Sequence, residues 1–260
     1  MPRLQCPKCK AKKGTWKVRR NGRVCIVCRH EWNPRSLNLR LTKTQWKQIL
    51  RWFLLEQSSN SIAELTKLSK KRILRALAYA RIAMCKDIPD VFSGIVEVDE
   101  TYLGGHWKNK RKATRDVGTK RGRGTSKQPA FGILCRSGLV WAEIVEDVGA
   151  NTLQPLIKRQ VKSGSTICSD TWKGYTGIAT QGYVHRLVNH SEQEYSDRKG
   201  THINGLEGFW GYLKRKLAAK GGIRRHRMWL YLGEYVWRYN HRQLSLDEQL
   251  SKLIRLLTKN

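Results

Sequence analysis

The stretch whose reading decides the fold is Ile95-Val96-Glu97-Val98-Asp99-Glu100-Thr101-Tyr102. β-Branched residues alternate there with acids, and the run stops at Gly104-Gly105, which is the pattern of a strand rather than a helix. Upstream, Pro89 closes a helical region, because proline cannot continue a helix. Downstream, Phe131 to Cys135 and Leu139 to Val145 are apolar runs joined by Arg136-Ser137-Gly138, a hairpin signature. Asn151 is placed to cap a helix through Leu153, Leu156, Ile157 and Val161. Short strands are expected at 165–169 and 183–188, and the chain from Asn204 onward is helical in pattern. A meander followed by alternating strand and helix predicts an α/β domain with a mixed sheet over 92–260.

Two smaller modules precede it. Cys6-Pro7-Lys8-Cys9 and Cys25-Ile26-Val27-Cys28 have zinc-ribbon spacing, so residues 1–36 are expected to hold one structural Zn²⁺ through Cys6, Cys9, Cys25 and Cys28. Disulfides or a redox dithiol are the competing readings; the first suits an exported chain and the second a single C-x-x-C near a βαβ unit. Cys85, Cys135 and Cys168 stand singly among apolar residues and are expected as small buried hydrophobes. Over 40–86, Trp46, Ile49, Leu50, Phe53 and Leu54 recur at helical spacing. A second helix is expected to be capped by Ser61 with Glu64 closing a capping box, and a third to start near Ser69 with Lys70, Lys71, Arg72, Arg75 and Arg81 on its polar faces. Three helices ending in a basic one are helix-turn-helix-like, and a helical spacer with a solvated face is the alternative.

Lys and Arg total 51 against 20 acids, a net charge of +31, which calls for a polyanion such as nucleic acid as partner. A membrane is not expected: the most apolar stretch, Ile49 to Leu55, is short and broken by Arg51. The start of the chain leads into no apolar core, so the expectation is a cytoplasmic protein, nucleoid-associated if prokaryotic. Basic residues crowd the loop 104–128, with Asp116 its one acid, and the expected role is an arm that holds phosphates.

Where acids are scarce, their positions carry information. Asp99 and Asp170 end or follow expected strands, and Glu207 lies on the helix beyond. Three carboxylates meeting at a sheet edge repel one another unless a divalent cation lies between them, and hard oxygen ligands select Mg²⁺ or Mn²⁺. Two such ions could activate a water or a 3′ hydroxyl and stabilise the leaving oxygen of a phosphodiester. Glu97 shares the strand face of Asp99 and is a further candidate for the metal, whereas Glu100 points away. On the helix, Leu206, Trp210, Leu213 and Leu217 form a core stripe, leaving Asn204, Glu207 and Lys214 together on an edge over the acids. The competing reading leaves Lys214 as generic positive surface with Arg215 and Lys216.

The motifs Val96-Glu97-Val98-Asp99-Glu100-Thr101-Tyr102-Leu103-Gly104-Gly105, Ser169-Asp170, His202-x-Asn204-x-x-Glu207-Gly208-Phe209-Trp210 with Leu213-Lys214-Arg215, and Arg238-Tyr239-Asn240-His241-Arg242 together resemble those of DDE transposases of insertion sequences. The likeness is to the zinc-ribbon branch, akin to Merlin elements, and it covers nearly the whole chain. It implies an RNase H-like catalytic core with Asp99, Asp170 and Glu207 as the catalytic triad holding two Mg²⁺ ions. It also implies binding of terminal inverted repeats, DNA cleavage and joining of 3′ hydroxyls to target DNA, with a homodimer or larger assembly pairing the two ends. A non-catalytic DNA-binding regulator and an RNase H-like nuclease without strand transfer are the alternatives.

Overall fold

The computed structural model describes residues 9, 11, 16–19, 22–29, 31–32, 39, 41–87, 89, 91–105, 112, 127–171, 173–188 and 204–258. Two compact units divide the chain, one formed by 1–80 with 246–260 and the other by 81–245. Residues 246–260, expected within the 92–260 domain, instead join the first unit.

In the first unit, strands β1 (Trp16–Arg19), β2 (Gly22–Cys25) and β3 (Glu31–Trp32) form an antiparallel sheet. Helix α1 (Lys43–Leu54) starts at a capping box, in which Thr42 Oγ1 accepts from Gln45 N and Gln45 Oε1 accepts from Thr42 N. Its buried stripe is Trp46, Ile49, Leu50, Phe53 and Leu54, as the spacing predicts. Helix α2 (Ser59–Thr66) is capped by Ser58, whose hydroxyl accepts from Ser61 N; Ser61 lies inside the helix, which corrects the expected cap. Lys67, in the left-handed region at φ 53°, turns the chain within three residues into α3 (Lys70–Lys86). Lys70, Lys71 and Arg75 are exposed on α3, but Arg81 is buried, so it is not among the basic residues on the helix surface. The C-terminal helix, Leu246–Thr258, packs on α1, and Asp247 pairs with Arg51 there at 2.8 Å.

The second unit is built on a five-stranded mixed sheet. Strands β4 (Ile95–Leu103), β5 (Gln128–Cys135) and β6 (Val140–Ile144) are an antiparallel meander, and β7 (Thr166–Ser169) and β8 (Val184–Leu187) extend it in parallel on the far side of β4. The order is β6-β5-β4-β7-β8, so β4 lies at the centre. This is the expected α/β arrangement, and the mixed sheet suits the RNase H-like reading. Alternation along β4 divides the two layers. Val96 and Val98 face a core shared with Leu153 and Ile157 of α4 (Ala150–Gln160). Leu103 faces the other core, with Leu206, Phe209, Trp210 and Leu213 of α5 (Asn204–Ala218) and with Leu232 and Tyr235 of α6 (Met228–Asn240). The N-cap of α4 is Gly149 rather than Asn151; Asp147 Oδ1 accepts from Gly149 N and from Thr152 Oγ1. Cys135 and Cys168 are buried as expected, while Cys85 is half-buried and its thiol is pushed up to about 11, mostly by burial and then by the charge of Glu234. Among the described residues, no helix is long and apolar enough to cross a membrane.

Candidate active site and thiolate cluster

The β4–β7 ladder pairs Val96 with Ile167 and Glu97 with Cys168. Asp99 and Asp170 each lie two residues beyond that last pair, so Asp99, within the part of β4 that continues beside β5, neighbours Asp170, which follows the end of β7. Across β4 on the other side, Asp99 is in register with Gly132 of β5. A Cβ on Gly132 would lie 2.6 Å from Trp210 Cζ2 and 3.2 Å from Leu206 Cδ1, so α5 passes directly over this position. Glu207 follows Leu206 in that helix. Leu206, Phe209, Trp210 and Leu213 are buried beneath, while Asn204, Glu207 and Lys214 are exposed. Glu207 and Lys214, two turns apart, differ by about 20° around the helix.

The acids share one field. Asp99, half-buried, has its carboxyl pushed up to about 7, first by burial, then by Glu100, with Asp170 and Glu207 adding to the rise against a lowering backbone hydrogen bond. Lys214 is held below its ordinary range by burial, which the charge of Asp99 opposes and that of Lys127 reinforces. Asp99, Asp170, Glu207 and Lys214 are therefore electrostatic neighbours. The carboxylates of Asp99, Asp170 and Glu207 do not all three lie within 4.8 Å of one another; among the described residues the group of three ligand atoms that close is Cys9, Cys25 and Cys28. One octahedral Mg²⁺ with oxygens at about 2.1 Å would need that closeness, whereas two ions about 4 Å apart would not.

Glu97, the other candidate for the metal, has a different task. It is 1% exposed and its Oε2 accepts from Leu206 N at 2.8 Å, so it caps the start of α5 and sets the height of Glu207 over the sheet. Gly205 makes room for it, since a Cβ there would lie 3.0 Å from Glu97 Oε2. Glu100 does point away, accepting from Tyr175 Oη at 2.7 Å.

Residues 238–242 lock α6 in place. Arg238 donates to Glu234, which also accepts from Arg81 at 2.6 Å. Tyr239 packs edge-on against Phe209. Asn240 makes paired bonds of 2.8 Å to the N–H and C=O of Val140, and Arg242 donates to Gly138 O. His241 bonds Trp237 O at 2.7 Å and lies 3.5 Å from Asp87. These contacts assign the motif to support of the sheet rather than to chemistry.

The basic loop and Cys6 lie largely or wholly outside the described residues. At the loop's base Leu103 pairs with Gln128, which places both its ends at the edge of the sheet toward which β4 runs past Asp99. In the first unit, Cys9, Cys25 and Cys28 bring their sulfurs within 4.8 Å of one another, with Cys9 and Cys25 at 3.5 Å. A tetrahedral zinc with Zn–S of about 2.3 Å sets sulfurs about 3.8 Å apart, so this donor set fits that ion.

A protein of Haemophilus influenzae (strain ATCC 51907 / DSM 11121 / KW20 / Rd), described as an uncharacterized transposase-like protein, is 33% identical over 117 residues, 44% of this chain and 94% of that protein. Two solved structures, a pre-cleavage Mos1 transpososome and a Mos1 transposase paired-end complex with the left transposon end, align over 81% and 82% of this chain and 78% and 79% of theirs. Their TM-scores are 0.33 at 15% and 14% identity, too loose a likeness to carry function. The model of the ISXO2-like transposase domain matches residues 91–240, more than half of the chain and the whole of the sheet, Asp99, Asp170 and Glu207 included. With that match over the sheet and its acids, the chain belongs to the ISXO2-like transposase family.

Proposed function

We propose that the protein binds the terminal inverted repeats of a mobile element, cleaves DNA at its ends and joins the freed 3′ hydroxyls to target DNA. The observation that carries this reading is the placement of Asp99 on β4, Asp170 after β7 and Glu207 on α5 as neighbours over the sheet; the Asp99 carboxyl is pushed up to about 7, first by burial, then by Glu100, with Asp170 and Glu207 adding to the rise. Concentrated negative charge in a chain of net charge +31 is a site for cations, and its hard oxygens suit Mg²⁺ or Mn²⁺. Two such ions, when bound, would activate the attacking water or 3′ hydroxyl and stabilise the leaving oxygen. The protein's own part is placement. Asp99 presents its carboxylate from within the central strand β4 and Asp170 from just past the end of β7, Glu207 presents the third from α5, and Glu97 fixes the start of that helix. Lys214 sits on the edge of α5 facing Asp99 and holds the phosphate beside the scissile bond, with Asn204 at the start of the same edge. Nothing in this scheme requires a covalent protein intermediate.

DNA is held elsewhere by charge. The exposed Lys70, Lys71 and Arg75 of α3 and the basic loop meet phosphates, and a structural Zn²⁺ on Cys6, Cys9, Cys25 and Cys28 orders the amino-terminal ribbon. Two element ends have to be paired, so the working form is a homodimer or larger, resident on DNA.

The test is incubation of the purified protein with Mg²⁺ and a duplex carrying the element's own ends, followed by resolution of nicked and joined products. Nicking with joining supports the proposal; binding alone leaves a regulator, and cutting without joining leaves a nuclease. Lys214→Ala should depress both steps far more than Lys216→Ala at equal end affinity, because the Lys216 ammonium lies 5.8 Å over the Tyr212 ring. Equal losses would return Lys214 to the general basic surface.

A further inference from the structure

The β4–β7 ladder ends at Glu97 and Cys168, so the backbone of Asp170 is not fixed to β4 by strand pairing. Two side-chain links lie on either side of it. Before it, Ser169 is fully buried, and its hydroxyl lies 2.8 Å from the carbonyl oxygen of Asp170 and 2.8 Å from His185 Nε2 on β8. The serine has one proton, which it donates to that carbonyl, so His185 Nε2–H donates to Ser169 Oγ. Burial lowers the His185 pKa, and the neutral tautomer protonated at Nε2 supplies the required donor. After it, Tyr175 is fully buried, and its hydroxyl donates to Glu100 Oε2 at 2.7 Å. Burial, then Glu100, push the Tyr175 phenol well above its usual value near 10, which keeps it a donor. Glu100 is the residue next to Asp99, so this bond ties the segment after Asp170 to the strand carrying Asp99. It also engages, on the opposite face of β4, the acid that would otherwise compete for a cation.

We propose that Tyr175 and His185 are positioning residues, acting through Glu100 and through Ser169 to hold Asp170 at its working distance from Asp99. The proposal rests on the assignment of Asp99, Asp170 and Glu207 as the reacting site. Neither residue touches DNA or metal in this scheme; each sets the separation of two carboxylates that have to share charge, a quantity on which cation affinity depends steeply.

The experiment uses the full-length protein. Mn²⁺ binding is measured by electron paramagnetic resonance in the absence of DNA, and cleavage of an end-bearing duplex is titrated with Mg²⁺, all well below the melting temperature of each variant. Tyr175→Phe and His185→Ala are each expected to raise the Mn²⁺ dissociation constant and the half-saturating Mg²⁺ by about tenfold, the order of effect that groups orienting metal ligands exert. End affinity should be unchanged. His185→Gln retains a donor at the corresponding reach and should restore near-parental metal affinity. A purely structural role would lower the melting temperature of Tyr175→Phe and His185→Ala and leave both metal constants unmoved, and that result overturns the proposal. So would failure of His185→Gln to differ from His185→Ala. Asp170→Asn is the separate control: if it still cleaves, the reacting site has been misassigned, whereas a dead Asp170→Asn beside unaltered Tyr175→Phe and His185→Ala refutes the brace alone.

Discussion

Gly132→Ala tests whether packing beneath the helix sets the chemistry above the sheet. The added Cβ would lie 2.6 Å from Trp210 Cζ2, 2.9 Å from Cη2 and 3.2 Å from Leu206 Cδ1, where carbon atoms normally rest about 3.5–4.0 Å apart. The indole therefore has to retreat by about 1 Å, and it is held from behind by Phe209, whose ring centre is 5.1 Å away. Overpacking of this kind costs about 1–3 kcal/mol. With a urea slope of about 2 kcal/mol/M, the unfolding midpoint should fall by about 0.5–1.5 M. The displacement is carried by α5, so Glu207 moves relative to Asp99, and a misplacement of about 1 Å can cost about 10²-fold in rate. The assay pairs urea unfolding with Mg²⁺-dependent cleavage for Gly132→Ala, Trp210→Phe and the double variant. Phenylalanine lacks the outer indole atoms, so the double variant should recover most of the loss, a coupling of about 1 kcal/mol or more. A Gly132→Ala protein that unfolds and cleaves like its parent would refute this account of how α5 is seated.

Asp99 has a folded pKa of about 7 against an ordinary value of 3.8, so the folded state binds its proton more tightly and loses stability as pH rises from about 4 to about 7. The loss levels off above that at no more than about 4 kcal/mol, so in chelator Asp99→Asn should stabilise the protein at pH 8 and do nothing near pH 4, as followed by thermal unfolding. Glu234, fully buried, pairs with both Arg81 and Arg238, so Glu234→Ala removes an ion partner from each of two buried guanidinium groups and should cost about 3–5 kcal/mol by urea titration. Elemental analysis should find one zinc per chain, and Cys9→Ser or a strong chelator should release it and unfold the amino-terminal ribbon locally, visible as new amide exchange over 16–32.

The central strand was readable because a period-2 pattern places Val96 and Val98 on one face and Glu97, Asp99 and Thr101 on the other before any tertiary contact is known. The core stripe of α5 was readable for the same reason at period 3.6: Leu206, Trp210 and Leu213 are buried as expected, Leu217 is only partly buried against the same core, and Phe209 is an addition. What local pattern could not supply was the use made of each acid. Glu97 and Asp99 are equivalent in the strand; only the arrival of Leu206 N, 109 residues later, makes one a helix cap and leaves the other at the reacting edge. Gly205, just inside α5, was the available signal that a side chain comes close there. Arg81 lay on a polar helix face, and its burial follows from Glu234, 153 residues away. Helix starts failed on a smaller scale: Ser58-Ser59-Asn60-Ser61 offers several capping residues in a row, and α4 has its N-cap at Gly149, two residues before Asn151, with no side-chain cap, while Asp147 accepts from Gly149 N and Thr152 Oγ1. The last helix was misassigned because its amphipathic pattern says that one face is covered but not by which unit.

One measurement bears most directly on the assignment of the reacting site. Asp99→Asn, Asp170→Asn and Glu207→Gln are compared with the parent for end binding and for Mg²⁺-dependent cleavage of the same duplex. Each change removes a cation ligand and makes the site no less attractive to phosphate, so binding should persist while cleavage falls to background in all three. Substantial cleavage by any one of them would remove that residue from the site and contradict the account.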